Sequence, residues 1–451
     1  MRLALIGKYR QASLALMLSA VLLLAGKTSA APLDLTLEKA LELALVNNPA
    51  QRLARAGVEQ ARKKLMQNLG FLPQISLDGS RILDEKLMSI EMPPMFPGQE
   101  PQRFSLRFTQ NYEFTLQFVQ PVFSGGKIIN NYRNARIDLA LANEKEKNSA
   151  AETALEVKKV FYNILVLEKL ILTRQEALDL ALKNLGAVRR SYELGMVSRY
   201  DLLRAELAVS SLRPELTQVK SMLDLSMLNL KIMTGLDLET EITVSGELSF
   251  AEEELDSESL FAAALGQRSE LRQLEMEKNK IDNLIKIAYG QLSPDLAIVG
   301  RYSFRSDRFN FRGDNWEDYY TISLGLSWPI FTGLKRSGAI GELQVMRRMI
   351  DISRIQLEAA TRLEIESLLA ALAREKEKVL MGRDHLASAQ EGARIAELNY
   401  GEGLISILEL NASLNDLTMA GVNHLQALYN YNVALAELRK ITGTDTSGGL
   451  E

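Results

Sequence analysis

The sequence predicts a mainly α-helical chain with a smaller membrane β part, built as two copies of one helix–helix–strand–strand–helix–helix unit. Three patterns predict it. Motifs recur at a constant offset, two stretches alternate apolar and polar side chains, and two stretches of about seventy residues carry apolar side chains every three or four positions. The offset organises the rest. Gln120-Pro121-Val122-Phe123-Ser124-Gly125-Gly126-Lys127 matches Trp328-Pro329-Ile330-Phe331-Thr332-Gly333-Leu334-Lys335, 208 positions on (329 less 121). The same offset relates Tyr192, Gly195 and Ser198 to Tyr400, Gly403 and Ser406, and Thr234-Gly235 to Thr442-Gly443. No net insertion accumulates between these pairs, so the helices have equal lengths in both copies. Upstream, Pro73 corresponds to Pro294 at 221 positions (294 less 73), so copy one carries 13 extra residues between Pro73 and Pro121.

The chain opens with Arg2, Lys8 and Arg10, an apolar run from Ala12 to Ala25, and the small residues Thr28-Ser29-Ala30. That is the layout of a secretory signal peptide over 1–30. Its removal leaves 49 basic and 57 acidic side chains, since Arg2, Lys8, Arg10 and Lys27 go with it. No basic excess suits a nucleic-acid partner. The absence of cysteine excludes disulfides, thiolate metal sites and a lipid-modified cysteine, and the two histidines, His385 and His424, are too few for a histidine metal site. No nucleophile motif, phosphate loop or metal spacing is present, so neither catalysis nor a cofactor is expected. Paired acids such as Glu364/Glu366 and Glu375/Glu377 read as solvated helix faces.

The first repeat covers 31–235, a linker 236–257, the second repeat 258–443 and a tail 444–451. Helices over Pro49–Leu72 and Glu270–Leu292 lead into strands at about 73–123 and 294–330. There Phe104, Leu106, Phe108, Tyr112, Phe114, Leu116 and Phe118 alternate with polar side chains; in copy two Tyr320, Ile322, Leu324, Leu326 and Trp328 do the same. Period two with one apolar, aromatic-rich face, over 9–11 residues, is the pattern of strands facing lipid. Long helices follow from Lys127 to Leu194 and from Leu334 to Tyr400. In the first, Phe161, Ile164, Leu167, Ile171, Leu178, Ala181, Leu185, Val188 and Tyr192 form a seam close to a coiled coil, interrupted by Arg174. At 1.5 Å per residue such a helix is about 100 Å long, too long for a compact domain. Returning helices run over Ser198–Met233, where Pro214 should introduce a kink, and Ser406–Ile441. Between them, Gly195 and Gly403 should end the long helices and Ser198 and Ser406 should cap the returning ones. Asp201 and Glu409 stand in the first turn, where a carboxylate suits the helix dipole.

Two strands per copy make four per chain. Four strands cannot close a barrel, and lipid does not tolerate open sheet edges, so several chains must share one barrel. The chain resembles the TolC family of outer-membrane efflux channels. The resemblance rests on Leu35-Thr36-Leu37-Glu38-Lys39-Ala40-Leu41-Glu42-Leu43-Ala44-Leu45-Val46-Asn47-Asn48-Pro49, on Leu72-Pro73-Gln74, on the two Pro-X-Phe-X-Gly turns and on the paired Tyr-X-X-Gly-X-X-Ser segments, all in order and duplicated. It implies a homotrimer with a twelve-stranded outer-membrane barrel continuous with a periplasmic helical tunnel. It also implies two kinds of partner, a periplasmic membrane-fusion adaptor and an inner-membrane pump of RND, ABC or MFS type, for efflux or type I secretion. The turns Tyr192, Gly195, Met196, Ser198 and Tyr400, Gly403, Leu404, Ser406 would form the adaptor-docking tip, with Met196 and Leu404 exposed. Asp201, Tyr400 and Glu409 would line the periplasmic entrance. The sequence departs from the family pattern at Ala412, where a second acidic residue is expected, and at Ile405, where the family has the basic residue of a closing salt bridge. The competing reading is a structural or adhesive coiled-coil outer-membrane protein without a pore; paired tip turns at matched distances in both copies argue against it.

Overall fold

A computed structural model describes residues 32–84, 88–93, 96, 101–106, 111–310 and 316–443. The expected signal peptide and the C-terminal tail lie outside the described residues, as do Phe108 and half of the loop at 91–98. In chain order the elements are β1 (Leu33–Leu35), α1 (Leu37–Asn47), α2 (Pro49–Gln67), β2 (Gln74–Arg81), β3 (Met88–Met92), β4 (Gln102–Leu106), β5 (Tyr112–Phe123), α3 (Lys127–Glu193) and α4 (Arg199–Thr234). Then come β6 (Ile242–Val244), α5 (Ser257–Gln267), α6 (Ser269–Gly290), β7 (Asp295–Ser306), β8 (Glu317–Ser327), α7 (Lys335–Gly401) and α8 (Ile407–Thr442). Both long helices have 67 residues and both returning helices 36, starting 208 positions apart as the motif offset requires. Pro214 does not break α4, which continues through it.

Contacts divide the chain into two units that cut across the repeats. One contains 1–52, 149–264 and 363–451; the other contains 53–148 and 265–362. In the first unit, β1 pairs in parallel with β6. Leu35 and Val244 from these strands enter a core with Ala40, Ala44, Val157, Phe161, Ile164, Leu165 and Leu230. The α1–α2 junction is tied to the last turn of α4, where Asn48 Nδ2 donates to the Met233 carbonyl at 3.1 Å and Asn47 Nδ2 to that of Thr234 at 3.4 Å. Most of the predicted seam on α3 is buried: Phe161, Ile164, Leu167, Leu178, Ala181 and Val188 all are, whereas Tyr192 at its end is exposed. Arg174, the interruption, reaches across to Glu215 on α4 at 2.6 Å. A buried seam tolerates a cation there because a carboxylate meets it.

In the second unit, β2, β5, β7 and β8 form one antiparallel sheet in that order, joining the two copies through β5–β7. The register sorts the side chains. Ile75↔Phe118, Leu77↔Leu116, Leu116↔Tyr302, Phe114↔Phe304, Tyr302↔Tyr320, Ile298↔Leu324 and Leu296↔Leu326 are cross-strand partners, so the apolar residues share one face. Ser76, Gln117, Arg301 and Thr321 lie on the other. Lys127, at the start of α3, holds Asp295 at 2.7 Å where β7 begins.

Two strand assignments need correction. Phe104 and Leu106 do not continue the Tyr112–Phe118 strand. They lie on β4, which pairs with β3 as a separate ladder from Met88↔Leu106 to Met92↔Gln102, while the β2–β5 ladder ends at Arg81↔Tyr112. Copy one spends its 13 extra residues here, on an additional hairpin. Trp328 lies just beyond β8. Its indole donates to the Leu292 carbonyl at 3.0 Å, anchoring the turn that precedes α7 instead of extending the strand.

The turn into α3 depends on two glycines in close contact. Gly125 adopts φ +58°, and a Cβ placed there would stand 2.4 Å from the Gly290 carbonyl oxygen; a Cβ at Gly290 would stand 2.3 Å from that of Gly125. Backbone cannot yield as a flexible side chain does. Gly290→Ala is expected to cost roughly 1–3 kcal/mol by overpacking, read as a lowered denaturation midpoint. An unchanged midpoint would show that this contact relaxes freely.

Candidate functional site

The two helical turns have the same construction. α3 ends in a glycine turn in which Gly195 has φ +74°, its N–H bonds the Tyr192 carbonyl at 2.9 Å and the Met196 N–H bonds that of Ser191 at 2.8 Å. At the end of α7, Gly403 has φ +72°, its N–H bonds the Tyr400 carbonyl at 3.0 Å and the Leu404 N–H bonds that of Asn399 at 2.8 Å. This is the paired-bond C-terminal motif that satisfies the last carbonyls of a helix and calls for a left-handed residue.

Each returning helix then opens with a reciprocal cap. Ser198 Oγ accepts from the Asp201 N–H, and the Asp201 carboxylate accepts from the Ser198 N–H at 3.1 Å and its hydroxyl at 2.6 Å. Glu409 does the same for Ser406, at 2.7 Å and 2.9 Å. The Ser-X-X-Asp and Ser-X-X-Glu spacing is a capping-box signature, legible in the sequence beyond the simpler dipole argument. The Ser198 side chain, then its backbone N–H, hold the Asp201 carboxyl below its ordinary range. The Ser406 backbone N–H, then its hydroxyl, do so for Glu409.

The turns pack together around Val188, Ala205, Ala396, Ile407 and Leu410, with Leu185, Val197, Leu202, Tyr400, Ile405 and Leu414 around them. Ile405 therefore serves as an apolar packing residue joining both turns. Tyr400 is half-buried, and burial, then the Asp201 charge, push its hydroxyl pKa up. Asp201 and Tyr400 are electrostatic neighbours, but the carboxylate spends its hydrogen bonds on Ser198. Met196 and Leu404 are exposed at 75% and 72%, and Leu194, which the sequence reading missed, at 75%. Beyond the turn, Arg204 lies over the Tyr200 ring at 5.3 Å and donates to its hydroxyl.

One reading of a solvated face fails. Glu375 is 4% exposed. Burial opposes its ionisation, but Lys378, Arg374 and Asn430 hydrogen-bond the carboxylate and hold it below the ordinary range. The partner Asn430 comes from α8, a contact no local pattern announces. His385 is exposed. His424 packs against Gly382 of α7, and burial lowers its pKa. Among the described residues, no group of histidines and acids is placed to hold a metal ion, and no helix is long and apolar enough to cross a membrane.

The apolar face of the four-stranded sheet is exposed: Tyr320, Ile322, Leu324 and Leu326 are each 64–76% accessible, and Ile75 and Leu77 both 67%. The profile of outer membrane efflux proteins matches residues 40–236 and 260–444, one segment per repeat. The chain belongs to the outer membrane efflux protein family. The resemblance to TolC-type channels is thereby borne out. The chain is 23% identical over 445 residues to the outer membrane efflux protein BepC of Brucella suis, covering 96% of this chain and 91% of BepC. It is 27% identical to the alkaline protease secretion protein AprF of Pseudomonas aeruginosa, over 40% of this chain and 35% of AprF. Its fold matches the Campylobacter jejuni CmeC outer membrane channel with a TM-score of 0.77 at 18% identity, over 92% and 86% of the two chains. The Vibrio cholerae protein VceC matches at 0.71 and 16%, over 90% and 96%. This channel is thus an outer-membrane exit duct with a large periplasmic portion, working with adaptors and inner-membrane pumps and doing no chemistry of its own.

The caps make a pH prediction. Both carboxyls have lowered folded-state pKa values, so their support of the helix starts is complete above the ordinary carboxyl range of about 4. It is lost as pH falls through the lowered values. Ser198→Ala or Ser406→Ala should weaken the local helix start by about 1 kcal/mol at neutral pH. Faster amide exchange confined to the first turns of α4 and α8 is the expected readout. Exchange unchanged in both variants would show that apolar packing alone holds the turns.

Proposed function

We propose that three copies of this chain close one barrel of twelve strands, and that their helices continue it as a twelve-helix tunnel. The observation that carries this is the sheet: four strands, one apolar face exposed along β2 and β8, and the edges of those two strands unpaired among the described residues. In hydrocarbon each unpaired amide and carbonyl costs several kcal/mol. Two copies would make eight strands with a filled interior; three leave room for a channel. On this reading Tyr112, Phe114, Leu116 and Phe118 on β5, and Tyr320, Ile322, Leu324 and Leu326 on β8, face lipid. Trp328 sits at the lipid boundary, its ring apolar and its N–H satisfied.

The tip turns meet a periplasmic membrane-fusion adaptor, offering Leu194, Met196 and Leu404 as apolar contacts with Tyr192, Gly195, Ser198, Tyr400, Gly403 and Ser406 shaping the turns. An inner-membrane pump of RND, ABC or MFS type completes the assembly. The relatives matched over 91% and 76% of their own length are efflux proteins, whereas the secretion relative matches over 40% of this chain, which favours small-molecule efflux. Asp201 and Glu409 ring the entrance as carboxylates. The entrance closes by the apolar packing of Ile405, Val197, Leu202 and Tyr400, since no basic residue stands at 405.

Purified protein in planar bilayers tests this. It should run as a trimer and conduct; a protein that inserts but passes no current would sink the conduit. Glu409→Gln should relieve block by multivalent cations severalfold, and unchanged block would remove Glu409 from the entrance. Gly403→Trp places a bulky side chain on a left-handed backbone at the tip. It should abolish export while the trimer persists, and full export would refute docking there.

A further inference from the structure

The polar face of the sheet carries two arginines in different circumstances. Arg305 is neutralised: its Nε and Nη2 both donate to Glu113 Oε1 at 3.2 Å, it also donates to the Tyr319 hydroxyl, and its guanidinium lies 4.5 Å from that ring's centre. Arg301, four residues inward on β7, is exposed and, among the described residues, makes no hydrogen bond or ion pair. Its cross-strand tier is Ser76, Gln117, Arg301 and Thr321, so its neighbours in register are hydroxyls and an amide. The next tier inward, Gln74, Val119, Val299 and Ser323, has no charge at all. Asp295, further in, is already held by Lys127. The other acids of this face, Asp78, Glu113 and Glu317, all stand in the tiers further out. The polar face is therefore stratified, with an acidic outer zone and a single unpaired guanidinium inside it.

We infer that Arg301 is an anion-binding residue of the barrel lumen, three copies of which form a ring for phosphate- or carboxylate-bearing solutes. The inference rests on the trimeric conduit proposed above, which turns this face inward. A guanidinium offers a planar fork of donors matched to carboxylate and phosphate oxygens, and rings of arginine give pores their preference for anions and phosphates. The uncharged neighbours leave that fork free. The arrangement is distinct from the carboxylates at the helical turns, so one duct presents acidic and basic rings in separate parts.

Pyrophosphate is the probe. Added to the wild-type channel in planar bilayers, it should block the potassium chloride current. Arg301→Gln should raise the half-blocking concentration at least tenfold, Arg301→Lys less, and Thr321→Arg, which adds a guanidinium to the same tier, should lower it. Because the chain has no cysteine, Arg301→Cys provides a single label site. It should react with a membrane-impermeant charged thiol reagent and restore anion block when the reagent is cationic. Channels that conduct normally but show no pyrophosphate block, or the same block in Arg301→Gln, overturn the inference and leave the conduit intact. A wild-type protein that carries no current overturns the conduit itself.

Discussion

A four-stranded sheet leaves a row of amide and carbonyl groups unpaired along each flank, and a membrane offers nothing to pair them. The rest of the molecule answers to that constraint. In this chain the flanks are β2 and β8, one from each repeat, while β5 and β7 join the repeats in the middle. Each repeat thus contributes one inner and one edge strand. A closed barrel can come only from copies of the whole chain meeting edge to edge, which is the physical root of the proposed trimer. The apolar face then has a purpose that burial within one chain does not supply, because Ile75, Leu77, Tyr320, Ile322, Leu324 and Leu326 stay exposed.

The helices answer to the same geometry. A strand pair in each repeat feeds a helix of 67 residues, and each returns through one of 36. Equal lengths bring the two turns together, so that Val188 and Ala205 of one repeat pack with Ala396, Ile407 and Leu410 of the other. A difference of even one turn would shift one set by about 5 Å and separate them. The glycine turns and capping boxes complete the construction by satisfying the backbone groups that two long helices and their returns leave orphaned. Asp201 and Glu409 consequently have two demands on one carboxylate: structural bonds to serine, and a charge presented to whatever enters.

Much of this was legible in order along the chain. The 208-residue offset implied equal helices, the period-two runs implied the sheet and its apolar face, and Gly195, Gly403, Ser198 and Ser406 implied the turns, because helix termination is a local matter of φ angles and nearby donors. The misreadings share another character. Phe104 and Leu106 continue the alternation of Tyr112–Phe118, yet belong to a separate hairpin, because period two says which face a residue takes and not which strand it pairs with. Trp328 continues it too, but is drawn out of the strand by the Leu292 carbonyl. Glu375 looked like a solvated acid because its partner Asn430 lies 55 residues away.

What the sequence alone determined was the set of local preferences and their repetition: where helices start and stop, which strand face is apolar, and that two copies match in length. Those follow from side-chain spacing and backbone conformation within a few residues. Tertiary structure alone decided partnership. It paired β5 with β7, set the Asp201 charge beside Tyr400, turned Ile405 into packing, neutralised Arg305 with Glu113 and, among the described residues, left Arg301 without a partner. The physical reason is that hydrogen bonds, ion pairs and burial depend on which atoms meet in space, and residues 55 or 192 positions apart in the chain meet only once the fold exists.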